Sequence, residues 1–119
     1  MMGSILQVAL GGAIGAVARF LVGMSVAFPI GTLTVNVLGS FIMGLVFVLL
    51  AERGMERWTP LVLTGMLGGF TTFSAFSLDT FKLYEAGRIG AAGGYVLASI
   101  VLSLLALFLA VMLMRGLQT

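Results

Sequence analysis

Four stretches of this chain carry no charged residue at all: residues 1–18, 20–51, 58–78 and 89–114. A helix that crosses a bilayer needs about 20 mostly apolar residues. The four runs therefore supply four crossings once residues 20–51 are divided, and Pro29 and Gly31 mark the division. Hydrophobic residues make up 61% of the sequence and charged residues 8%, against roughly 25% charge in a soluble domain. The expected fold is an all-α integral membrane protein, one membrane domain over residues 1–119, with spans near 4–27, 33–51, 59–84 and 90–114.

The same composition removes several functions. With no Cys and no His there are no disulfides, thiolates, imidazole metal sites or histidine acid–base catalysis, so the chain is not expected to be an enzyme. A net charge of +2 rests on six basic and four acidic residues, too few for a nucleic-acid footprint. No Lys or Arg precedes Arg19, which argues against a cleaved secretory leader and for retention of the first segment as a span.

Within the third run, Gly68-Gly69-Phe70-Thr71-Thr72-Phe73-Ser74-Ala75-Phe76-Ser77-Leu78-Asp79 is too rich in glycine and hydroxyls to face lipid comfortably. Irregular or hydroxyl-rich backbone persists at membrane depth only where protein or a water-filled cavity covers it, and interrupted helices commonly build ion sites there. Paired glycines weaken a helix and the Thr pair can serve freed backbone groups, so the third helix is expected to break near its middle. Three Phe recur at every third residue among these hydroxyls, which suits a small anion; the same spacing also suits plain helix packing.

The other spans add polar groups to this centre. Asn36 shares a helical face with Ser40, and its carboxamide serves either an interhelical hydrogen bond or an N–H donor for a passing anion. Tyr95, Ser99 and Ser103 follow at four-residue spacing, a polar stripe about 12 Å long on an apolar helix. Gly11, Gly15, Arg19 and Gly23 repeat at the same interval, and small residues there allow close helix contact. Arg19 either snorkels toward the end near Phe28 or stands as a fixed cation drawing anions to a vestibule. Asp79 lies three residues from Lys82, which predicts a local ion pair near the membrane end.

Charge distribution bears on assembly. With four spans both termini share one face, which owns Arg53, Arg57 and Arg115; the other owns Lys82 and Arg88, with Arg19 leaning toward it. Neither face is clearly the positive one. A chain without orientation bias can insert both ways, and opposite copies can pair about an axis in the membrane plane.

GGFTTFSAFSLD, preceded by Asn36 in the second span and followed by Tyr95, Ser99 and Ser103 in the fourth, resembles the Fluc (CrcB) fluoride channels, and the resemblance covers the whole chain. It implies a multi-pass protein of the cytoplasmic (inner) membrane, a dual-topology antiparallel homodimer in the lipid bilayer, exporting fluoride passively through two pores at the subunit interface, with no further protein partner. By resemblance, Phe73 and Phe76 line the pores with ring edges, Asn36 is the amide donor, Ser74 and Thr72 supply hydroxyls, and Tyr95, Ser99 and Ser103 form the polar track. Arg19 becomes the vestibule cation, and the backbone carbonyls of Gly68 and Thr71 from both subunits hold a central structural sodium ion. Phe70 and Asp79 depart from the pattern, where many members carry an aliphatic residue and Glu.

Two rival readings fit a chain of this size. A small multidrug-resistance type exporter also has four spans and dual topology, but it needs a carboxylate deep in the membrane to titrate and to bind cations; the first span has none, and Asp79 is expected near a membrane end. A non-transporting assembly subunit would use its polar stripe for helix packing alone.

Overall fold

The structure, a computed structural model, describes residues 1–118. Four helical segments are long and apolar enough to cross a membrane: Met2–Ser25, Ile30–Glu52, Glu56–Glu85 and Ile89–Leu117. The first is helix α1 (Met2–Ser25) and the second α2 (Ile30–Glu52). The third is composite: a 3-10 turn at Glu56–Trp58, a π-helical stretch Pro60–Leu67, a short α3 (Gly68–Phe70) and α4 (Phe73–Glu85). The fourth is α5 (Ile89–Gln118). This is a multi-pass membrane protein.

The ends differ from the sequence expectation by a few residues, for local reasons. Pro29 takes the position before α2, where a missing N–H costs nothing, so that helix begins at Ile30 rather than Leu33. Gly54 and Gly87, with φ of 63° and 80°, terminate α2 and α4 in left-handed turns. There the N–H of Met55 reaches back to Leu50 O at 2.8 Å and that of Arg88 to Leu83 O at 2.9 Å, satisfying carbonyls the helices leave open. α5 continues past Arg115, whose charge suits the negative end of a helix.

Lipid tails are as apolar as leucine, so burying hydrophobic side chains does little to hold such helices together, and close backbone contact must do it instead. Glycine permits close approach along three seams, two of them against main chain. Gly11 and Gly15 of α1 lie against the main chain of Leu61, Gly65, Met66 and Phe70, so the widened π turn presses directly onto α1. Gly39 of α2 receives the side chains of Thr71 and Phe70. Gly44 backs onto Leu107, Ala110 and Val111 of α5, where a Cβ would stand 2.7 Å from Leu107 O. The core beyond these seams is small, centred on Phe76, Leu83, Ala92 and Tyr95. Outward faces of α1 and α5 present side chains such as Phe20, Leu105 and Phe108.

The seams predict an asymmetric response to small substitutions. Gly44→Ala and Gly15→Ala each drive a methyl into backbone and are expected to lower stability by about 1–3 kcal/mol. Gly93→Ala, whose added carbon meets nothing within 4 Å, leaves stability unchanged or slightly raised. Denaturant titration of the purified protein in detergent, followed by circular dichroism, reads the difference.

Candidate functional site

Between α3 and α4 the backbone runs extended for two residues, Thr71 at φ −89°, ψ 157° and Thr72 at φ −155°, ψ 122°. Extended residues forfeit helical hydrogen bonds, and at membrane depth each unpaired backbone group costs several kcal/mol. The chain replaces them with side chains from two neighbouring helices. Asn36 Oδ1 accepts the Thr72 N–H at 2.7 Å, and Asn36 Nδ2 donates to Thr72 O at 3.0 Å. From the other side Arg19 Nε donates to Gly69 O at 3.0 Å. Thr71 stays tied to the preceding turn, its N–H and hydroxyl both donating to Leu67 O.

α4 then starts with Thr72 as its cap, the hydroxyl accepting the Ala75 N–H at 3.1 Å and lying 3.2 Å from Ser74 Oγ. This fixes the direction in which the Phe residues leave the helix. Phe73 and Phe76 meet edge to face, ring centres 5.4 Å apart at 63°. Phe76 is buried and also packs on Tyr95, whereas Phe73 is 77% exposed.

These residues surround a cleft of about 470 Å³ that also takes in Asn36, Gly68, Thr71, Thr72, Ser99 and Ser103. Ser99 is 6% exposed and its hydroxyl has no hydrogen-bond partner in the structure. The sequence-derived residues Asn36, Thr72, Phe73, Phe76, Ser99 and Ser103 thus converge on one cleft, with Gly68 and Thr71 on its wall. Ser74 joins through Thr72, and Tyr95 stands behind Phe76 rather than lining the cleft. Arg19 borders a separate cavity of about 340 Å³ that shares Thr72 with the first.

Two expectations change. Asp79 does not pair with Lys82: it is 8% exposed, turned inward, and accepts a hydrogen bond from the Tyr95 hydroxyl at 3.2 Å. Lys82 instead holds its Nζ over the Phe28 ring, 5.8 Å from the centre. Arg19 does not snorkel to the Phe28 end but reaches the third span at Gly69. The Asn36 oxygen serves a backbone N–H of the third span, an interhelical hydrogen bond. Ser40, which the sequence placed beside Asn36 without giving it a role, also lines the cleft. The signal was its shared face with Asn36.

Neutral donors therefore line the cleft, while among the described residues no three His, Cys, Asp or Glu side chains cluster as a metal site. A four-span bundle with such a cleft defines a small multi-pass membrane protein. The chain matches the family described as CrcB-like protein, Camphor Resistance (CrcB), across residues 6–111, and it belongs to that family. It is 53% identical to the fluoride-specific ion channel FluC of Cereibacter sphaeroides over 98% of both chains. It is 55% identical to the protein of that name from Paracoccus denitrificans, with 94% of each chain covered. A FluC from Jannaschia is 57% identical over 76% of this chain and 86% of its own. These relatives are named as ion channels, a non-enzymatic activity.

The double bond from Asn36 to Thr72 carries a stability prediction. Asn36→Leu strands the Thr72 N–H and is expected to cost about 1–3 kcal/mol, whereas Ser74→Ala at an exposed position stays within about 0.5 kcal/mol. Unfolding by denaturant titration in detergent measures both.

Proposed function

We propose that this protein is a fluoride-selective channel giving passive export of fluoride across the cytoplasmic membrane. The reading holds that the unit is an antiparallel homodimer with pores at the interface. The observation that carries it is the cleft itself: amide, hydroxyl and aromatic-edge donors gathered around a space open on one side, with Phe73 projecting from its wall and the Ser99 hydroxyl left without a partner. The relatives' name supplies the ion.

Fluoride is small and tightly hydrated, so a path through the membrane has to return several short hydrogen bonds for the water it removes. Asn36 has a second N–H beyond the one given to Thr72, and the hydroxyls of Ser99, Ser103, Thr72 and Ser74 can rotate toward the ion. The positive edges of Phe73 and Phe76 add a weaker attraction of the same sign. Conduction requires binding that is favourable without being a trap. Neutral donors along the cleft with the Arg19 charge in the adjoining cavity meet that condition, Arg19 acting as the vestibule cation. Tyr95, braced by Asp79, backs the Phe76 ring.

The reading includes a structural sodium ion between the two copies. Because the Thr72 N–H is given to Asn36, the Gly68 carbonyl has lost the partner a continuous helix would provide. Gly68 lies on the cleft wall beside Thr71. Neutral carbonyl oxygens of this kind fit a hard cation, and those of Gly68 and Thr71 would hold it. The ion would neutralise the facing carbonyl dipoles and tie the two copies together. Against a proton-coupled exporter stands Asp79: the carboxylate is committed to Tyr95 and does not line the cleft. Against a purely structural subunit stands the Ser99 hydroxyl, which serves no packing bond.

Fluoride efflux from liposomes, followed with a fluoride electrode, tests the pore. Phe73→Ile removes a ring edge at a position with little intrachain packing, and Phe76→Ile does so at a buried one. Both are expected to lower flux by about tenfold or more, the loss of about 1.4 kcal/mol of ion stabilisation, with the assembly intact by size exclusion. Asn36→Asp, which puts a negative charge in the path, is expected to block flux. Wild-type rates in all three variants would remove these residues from the pore.

The dimer has its own test. Several Lys added at the carboxyl terminus should lock one orientation and abolish efflux, and co-expression with an oppositely locked copy should restore it. Full activity of a singly locked protein would rule out the antiparallel unit.

A further inference from the structure

α2 and α5 run parallel in close contact. Thr32 adjoins Tyr95 near one end of the contact, and Gly44 packs on Leu107 near the other, so the displacement between the two chains is constant along it. That register puts Asn36 level with Ser99 and, one turn on, Ser40 level with Ser103. All four line the same cleft.

The hydroxyls differ in what they bond. Among the described residues Ser25, Thr34, Thr71, Ser77 and Thr80 each donate to the carbonyl four residues back, the usual resting place of a hydroxyl in a membrane helix. Ser40, Ser99 and Ser103 are not among them, and Ser99 is buried with no partner at all. These three serine hydroxyls of the cleft, unlike that of Thr71, are therefore free to turn to a ligand.

From this we infer that Ser40 is a further ion-coordinating residue: α2 contributes a second rung, Asn36 then Ser40, facing Ser99 then Ser103 on α5. An ion moving along the cleft would be handed from the amide level to a level with a hydroxyl on each side, about 6 Å further on at 1.5 Å per residue. Two levels of similar donor strength let an ion leave one site as it enters the next. The inference rests on the channel reading above and extends it to a residue on the second span.

The test uses the full-length protein in liposomes with a fluoride electrode, comparing wild type, Ser40→Ala and Ser40→Thr, each checked by size exclusion. Ser40→Ala is expected to lower fluoride efflux about tenfold, equivalent to about 1.4 kcal/mol. Ser40→Thr, which keeps the hydroxyl, should stay within about twofold of wild type. Combining Ser40→Ala with Ser103→Ala should fall short of the product of the single effects, as neighbours on one ion level do. Wild-type efflux from Ser40→Ala would overturn the inference, as would equal losses in Ser40→Ala and Ser40→Thr, which would point to shape. An altered elution profile for Ser40→Ala would overturn it too, as a packing role. Absence of efflux from the wild type would instead overturn the channel reading itself.

Discussion

The reciprocal pair between Asn36 and Thr72 is the interaction on which the rest of this structure depends. Two extended residues at membrane depth cannot remain without partners, and one carboxamide supplies both an acceptor and a donor to the same residue. Thr72 then caps α4, α4 directs Phe73 and Phe76, and those rings shape the cleft. Arg19 holds the preceding carbonyl from the opposite helix. The segment is therefore irregular in conformation but fixed in place from two sides.

A second consequence concerns polarity. Ionisable groups near the cleft are spent on backbone or on each other: Arg19 on Gly69, Asp79 on Tyr95. The cleft itself keeps neutral donors. Charge is present in the protein but held one layer back, where it can bias the local potential without gripping an ion. A deep carboxylate on the cleft wall would have favoured cations instead.

Much of this was legible in the sequence because membranes impose strong, local rules. Charge-free runs delimited four spans, and the density of Gly and hydroxyl residues at Gly68–Ser77 marked the segment that contains the two extended residues, Thr71 and Thr72. Spacing by four put Ser99 and Ser103 on one face, and they do share the cleft. Periodicity, however, says which residues share a face and not which neighbour that face meets. Arg19 finds a partner 50 residues away and Asp79 one 16 residues away, so spacing offered Asp79 the nearer Lys82 and left Arg19 without a named partner. The π turn at Pro60–Leu67 has no local signature; it is visible only once α1 is pressed against it. Ser40 looked ordinary until the register of α2 against α5 put it opposite another serine.

The glycine seams divide the chain into two populations with different freedom to change. Where Gly15 meets the Met66 and Phe70 main chain, or Gly44 that of Leu107, the contact is backbone on backbone, with no rotamer able to move aside. Outward residues such as Phe108 and Leu105 are more than half exposed on the chain, with room for their rotamers to shift. A library diversified over the outer faces should therefore return mostly folded proteins, and one diversified along the seams almost none. For re-engineering, the membrane-facing coat is the editable part and the bare main chain is the blueprint.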